Sequence, residues 1–154
     1  MKHLDYDVVD KIYDPFDNLA LSVTLHGDGT TDRKVLGSLT EAIKAQSSDE
    51  RQWERMKEIF QKSRTSACVF YHYGKRICAE KCRGSLFSFV ESDIENGPDK
   101  AVSAMAVVTA MLLERYKSGE APLALVSMDN CSKNGSRLRG SVLEMAEEWK
   151  KRGL

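Results

Sequence analysis

The sequence predicts an α/β domain with parallel strands and flanking helices, preceded by an N-terminal β-hairpin. Three observations carry that expectation. Leu19, Leu21, Val23 and Leu25 alternate with smaller or polar residues, which puts four large apolar side chains on one face of a strand. The stretch from Pro98 to about Lys117 is apolar nearly all round, as in a helix packed between a sheet and further helices. Leu123–Ser127 is a continuous apolar run, the mark of a strand buried on both faces of a parallel sheet.

The first 18 residues carry turn chemistry at Asp14-Pro15 and Asp17-Asn18 and read as an irregular lead-in. After the first strand, His26-Gly27-Asp28-Gly29-Thr30 supplies a turn with glycines available for positive φ, and Arg33–Leu36 returns as the partner strand. Ser38-x-x-Glu41 and Ser47-x-x-Glu50 both fit the capping box, so two helices are expected there. The second would place Trp53, Met56, Ile59 and Phe60 on one face. Ala67–Tyr71 reads as a short buried strand, and Ser85–Val90 as another. Pro98 suits the first turn of the long apolar helix, because the N–H it lacks would be unpaired there. Gly119 and Pro122 end that helix. A polar stretch, Met128–Gly135, then leads into a last helix lined by Leu138, Val142, Met145, Ala146 and Trp149. Strand, crossover, helix, strand and helix in that order imply a parallel sheet. Ligands of such sheets lie beyond the carboxyl ends of the strands, here after Tyr71 and after Ser127.

Length and composition set outer bounds. The 154 residues fit one domain, and 42% apolar with 30% charged residues is ordinary globular composition. With 23 basic and 23 acidic residues the formal net charge is zero, which argues against steering to nucleic acid or an anionic membrane. The apolar stretch Ala101–Leu113 falls short of the roughly 20 residues a membrane span needs, and the N-terminus shows no secretory signal. Four cysteines do not make a disulfide scaffold, so reduced thiols and a cytoplasmic setting are expected.

Ser127-Met128-Asp129-Asn130-Cys131-Ser132-Lys133-Asn134-Gly135 is the most informative segment. It sets a carboxylate, two amides, a thiol and an amine between a buried strand and a helix N-terminus. A primary amide there can donate to a developing oxyanion with no adjustment of its pKa. The alternative is that Asn130 and Asn134 are turn and helix-capping residues, each contributing about 1 kcal/mol. Cys78-x-x-x-Cys82 with His72 lacks a second matched pair, so no metal site is expected. Cys131 has no cationic neighbour but Lys133 to favour its thiolate. Tyr71–Arg76 mixes aromatics with bases but has no wider basic field, so it reads as a surface loop. His3 and His26 have no neighbouring nucleophile, and no GxGxxG or Walker sequence is present.

The segment from Ala124 to Gly135 resembles the strand-and-loop signature of the mannitol dehydrogenase family, the long-chain polyol-specific dehydrogenases that include fructuronate and tagaturonate reductases. Lys11–Leu19, the hairpin with His26–Thr31, Asp93–Pro98 and the helix ending Leu113–Lys117 resemble the family in the same order and spacing. The resemblance implies an NAD- or NADP-dependent oxidoreductase that interconverts a sugar alcohol or aldonate with the corresponding ketose or keto-uronate. It implies that Asn130 holds the substrate oxygen as charge develops, and that Ser127 and Asp129 contact the cofactor. Family members are several times longer. The expectation for residues 1–154 is therefore an incomplete Rossmann-like NAD(P)-binding domain, without the glycine-rich first βαβ unit and the helical catalytic domain. The rival expectation is a non-catalytic remnant or interaction module that forms homo-oligomers through exposed apolar surface.

One local departure stands out. Where the family typically reads close to TITEKGYAL, this chain has Tyr71-His72-Tyr73-Gly74-Lys75-Arg76-Ile77-Cys78-Ala79. Synonymous codons exist that encode the latter and, read one base later, spell TITEKGYAL. The expectation is a frameshift at Phe70–Tyr71, restored near Lys81–Gly84, with Tyr71–Gly84 irregular and not deeply buried. His72, Cys78 and the basic cluster then carry no functional weight. The nucleotide sequence of the gene tests this: codons incompatible with the shifted reading over 71–79 end the idea.

Overall fold

The computed structural model describes residues 9–70, 88–128 and 132–154. The chain divides into two units, 1–44 and 45–154. In the first, a π-helical turn at Val9–Tyr13 and a 3-10 turn at Asp14–Phe16 form the irregular lead-in. Asp17 and Asn18 both take left-handed backbone, which short polar side chains tolerate best among non-glycine residues. Strands β1 (Ala20–Leu25) and β2 (Thr31–Leu36) pair antiparallel, with Leu21 opposite Val35 and Val23 opposite Arg33. The hairpin is thus as expected, its return strand starting two residues early. Gly29 closes the turn at φ 85°, donating to the His26 carbonyl. The Thr30 hydroxyl, followed by its amide, holds the Asp28 carboxyl below its ordinary pKa.

No helix follows Ser38-x-x-Glu41: residues 37–46 are irregular. A helix confined to so short a stretch is marginal by itself, and Leu39 is left 44% exposed instead of packed. The second expected helix is present as α1 (Glu50–Gln61), but its cap is Asp49, which accepts from the Gln52 amide at 3.2 Å, and not Ser47. Its Trp53 is buried, and Met56 and Phe60 pack beside it.

In the second unit, β3 (Ala67–Phe70) and β4 (Ala124–Ser127) pair in parallel, Cys68 beside Leu125 and Val69 beside Val126. The chain between them includes α2 (Ser88–Asn96) and α3 (Ala104–Lys117). Residues 88–90 are helical, so the strand expected over Ser85–Val90 is overturned there. The remainder of that stretch, like Tyr71–Gly84, lies outside the described residues. The final helix, α4, runs Asn134–Lys151 and buries Leu138, Met145 and Trp149, while Ala146 stays exposed.

Helix α3 is the centre of this unit. Ala106, Val107, Ala110 and Met111 join Trp53, Val90, Ile94, Met145 and Trp149 in one cluster. Met105 and Val108 join Leu138 in a second, with Leu125 of β4 against it. A helix serving two clusters must be apolar all round. The sheet is less covered than its sequence suggests: Val69 and Val126 are 50% and 39% exposed. Among the described residues, only the face bearing Leu125 is packed by helices.

Two buried charged side chains organise these elements. Asp93, 1% exposed, accepts from the Val102 and Ser103 amides at 2.7 and 2.8 Å, while its own carbonyl accepts from Trp149 Nε1. This corrects the expectation of one helix from Pro98. Pro98–Lys100 is a separate 3-10 turn, reached through Gly97 at φ 78°, and α3 starts afresh at Ala104 under a Ser103 cap. Arg115, 3% exposed, gives all five N–H groups to carbonyls: Ala121 and Pro122 before β4, Phe60, Lys62 and Thr65 before β3.

Replacing Arg115 leaves five part-buried carbonyls without their donors, at about 1–3 kcal/mol for each one that water cannot reach. Arg115→Ala is therefore expected to lower unfolding stability by at least ~3 kcal/mol, and Arg115→Lys, lacking the fork, to recover only part of it. Urea denaturation followed by far-UV circular dichroism measures both; a loss below about 1 kcal/mol for Arg115→Ala contradicts this role.

Candidate functional site

Parallel pairing brings the carboxyl ends of β3 and β4, Phe70 and Ser127, to the same sheet edge. This is where the topology of an open α/β sheet places a ligand. Ser127, expected as a cofactor contact, stands at that edge. Its Oγ is buried with no hydrogen-bond partner among the described residues. A buried hydroxyl left unpaired costs free energy, so such an atom marks a place where a polar partner fits.

The Ser127 carbonyl accepts from Asn134 Nδ2 at 2.8 Å. Asn134 is therefore not the N-cap its sequence position suggested. The cap is Lys133, in left-handed backbone at φ 57° without a side-chain cap bond. Asn134 is the first residue of α4 and reaches back to the end of β4. Arg137 strengthens the same corner, its Nε donating to the Ser132 carbonyl at 3.1 Å and its amide to the Lys133 carbonyl. Position and amide chemistry were legible in the sequence; the partner was not, because a side chain bonding a carbonyl seven residues back follows no helical spacing.

Asp129, Asn130 and Cys131 lie outside the described residues, as do His72, Cys78 and Cys82. Of the expected site residues the described structure thus includes Ser127, and it adds Asn134 beside it. Cys68 sits on β3 with its thiol pushed up by burial, which disfavours the thiolate a nucleophile or metal ligand needs. His26 Nε2 meets Asp32 at 2.9 Å on the exposed hairpin. No group of three His, Cys, Asp or Glu able to hold a metal occurs among the described residues. No described helix is long and apolar enough to cross a membrane. The first unit has a cleft of about 780 Å³ lined mainly by Ile12, Tyr13, Phe16, Leu19, Leu21 and Val35. Lys11 and Asp17 also line this mainly apolar cleft.

No protein-family model matches the chain. Over 150 residues it is 41% identical to D-mannonate oxidoreductase of Thermotoga maritima, which covers 97% of this chain and 28% of that protein. Among solved structures it is similar to D-sorbitol dehydrogenase in substrate-free form, with a TM-score of 0.78 at 18% identity, over 98% of this chain and 31% of that one. It is also similar to Pseudomonas fluorescens mannitol 2-dehydrogenase in ternary complex with NAD and D-mannitol. There the TM-score is 0.73 at 17% identity, over 95% of this chain and 28% of that one. The chain spans less than a third of the length of each of these relatives. The structural likenesses give the fold, an α/β arrangement similar to a segment of these two solved structures, and in sequence the chain is similar to a segment of D-mannonate oxidoreductase.

Proposed function

We propose that this chain is a segment of an NAD(P)-dependent oxidoreductase that interconverts a sugar alcohol or aldonate with the corresponding ketose or keto-uronate. The observation that carries the reading is the 41% identity to D-mannonate oxidoreductase over 97% of the chain. The site chemistry supports it. Ser127 Oγ, buried and unpaired among the described residues, fits a polar atom of a bound dinucleotide. Ser127 and Asp129 would hold that cofactor from the carboxyl end of β4. The nicotinamide, when bound, exchanges a hydride with the substrate carbon. Asn130 would donate its amide to the substrate oxygen as charge develops, a contribution of about 3–4 kcal/mol to the barrier. It would need no proton exchange to do so.

A second reading, an interaction module, has its own support in the first unit. Leu21 and Leu25 are 63% and 78% exposed on the alternating face of β1, and Phe16 is 62% exposed beside the cleft. Apolar side chains repeated on one exposed face favour association, including with a second copy. Titration with NADH, followed by nicotinamide fluorescence, separates the two readings. Micromolar binding supports the dehydrogenase segment; no binding together with self-association in sedimentation supports the module.

The 154-residue chain by itself is expected to show no dehydrogenase turnover. Holding nicotinamide and substrate carbon in reactive geometry is worth roughly 7–11 kcal/mol, and one amide donor at about 3–4 kcal/mol does not replace it. No glycine-rich pyrophosphate cradle occurs among the 154 residues. Assays of the purified chain with NADH or NADPH against fructuronate, tagaturonate and fructose check this. Turnover that disappears in Asn130→Ala would show a working enzyme and overturn the expectation.

A further inference from the structure

We infer that the outer edge of β1 is a self-association surface, on which β1 of a second copy of this chain pairs antiparallel about a two-fold axis at Val23. The inference deepens the interaction-module reading and rests on it for its functional meaning. β1 and β2 form a two-stranded sheet, so each has one open edge among the described residues. The register fixes which main-chain groups that edge presents. The His26 amide donates to the Thr30 carbonyl, and bonded pairs alternate along an antiparallel ladder, so the next fall at Thr24–Asp32 and Ser22–Lys34. The N–H and C=O groups of Leu21, Val23 and Leu25 therefore point away from β2, without a hydrogen-bond partner among the described residues. A second β1 laid with Val23 opposite Val23 sets Leu21 opposite Leu25 on either side of the axis. Every outward donor then meets an outward acceptor. The same pairing makes cross-strand neighbours of exposed leucines and valines on one face, the contacts that stabilise a sheet.

Charge decides between the two edges. From Leu19 to Leu25 the chain has no charged residue, no glycine and no proline. Strand edges that stay unpaired are usually guarded by charges or proline. β2 has such guards in Asp32, Arg33 and Lys34. Its equivalent two-fold pairing, centred on Arg33, would set one guanidinium directly against its copy, which is unfavourable. A two-fold contact must be self-complementary, and of the two edges that of β1 meets this condition. A second copy supplies the uncharged edge, the matching apolar residues and the matching hydrogen-bond phase together. Short strands bury little area when they pair edge to edge, so the association belongs to the weak class.

Sedimentation equilibrium of the full chain without cofactor tests this by reading mass against concentration. The 17.3 kDa monomer is expected to double in mass with a Kd on the order of 100 µM. Val23→Lys and Val23→Asp each put like charges opposite one another at the axis, and each is expected to weaken association about fivefold. An equimolar mixture of the two sets opposite charges there and is expected to restore the dimer. Val35→Lys lies on the same face but one strand away from the pairing, and should leave the Kd within about twofold. A dimer that survives both Val23 substitutions, a mixture that stays monomeric, or a dimer lost in Val35→Lys overturns the edge pairing while self-association stands. A chain monomeric up to about 1 mM overturns the inference and the module reading together.

Discussion

All five N–H groups of Arg115 end on main-chain carbonyls, and those carbonyls come from the two short stretches that feed β3 and β4. A parallel pair has no hairpin to set its register, so the chain ends entering it must be brought together by something else. Here a guanidinium near the end of α3 does so. Its planar fork spans both stretches at once, and it is buried against five oxygen dipoles instead of a carboxylate. Taking the charge out of water is costly, and each carbonyl it satisfies would be costly if left alone, so the two requirements offset one another. The consequence reaches the opposite edge of the sheet. With the amino ends fixed, the register places Phe70 beside Ser127, and the site edge is defined.

Much of this architecture was legible in the sequence because it rests on local periodicity. The alternation at Leu19–Leu25 gave β1, the turn residues at His26–Thr30 gave the hairpin, and the uniformly apolar stretch gave α3 its place between two clusters. Capping was less legible. Ser47 and Asp49 both satisfy the local rule for α1, and the Asp49 carboxylate is the one that meets an amide. The break between Pro98 and Ala104 could not be read locally at all. It is imposed by Asp93, which draws the Val102 and Ser103 amides out of any helix continuing from Pro98 and is itself anchored to α4 through Trp149. A carboxylate that binds two amides nine and ten residues downstream, just before a later helix, leaves no periodic trace.

The site divides along the same line. Chemistry and order pointed to the segment after β4, and resemblance assigned roles to Ser127, Asp129 and Asn130. What spacing could not give was the mutual arrangement of Ser127 and Asn134, since a side-chain amide bonding a strand-end carbonyl belongs to neither helix nor strand geometry. The residue that looked like a cap became a tie, and the cap passed to Lys133 in strained backbone. A tie and a strained neighbour at one corner agree with the general placement of strain at functional sites.

The first unit obeys a different balance. None of its residues from 9 to 44 is buried, yet β1 retains strict alternation of large apolar side chains. Alternation of this kind arises where one face of a strand is covered, and a lone two-stranded hairpin is marginal in water. The turn is well made, with Asp28 bonded to both Thr30 groups and Gly29 in left-handed backbone, so register does not need the apolar face. That face is therefore free to contribute elsewhere. Fully covering a leucine or valine side chain is worth about 1.5–3 kcal/mol. Leu21, Val23, Leu25 and Val35, each 49% or more exposed, would together contribute several kcal/mol to any surface that met them. The hairpin thus holds its register by hydrogen bonding in the turn, with those four apolar side chains left largely exposed.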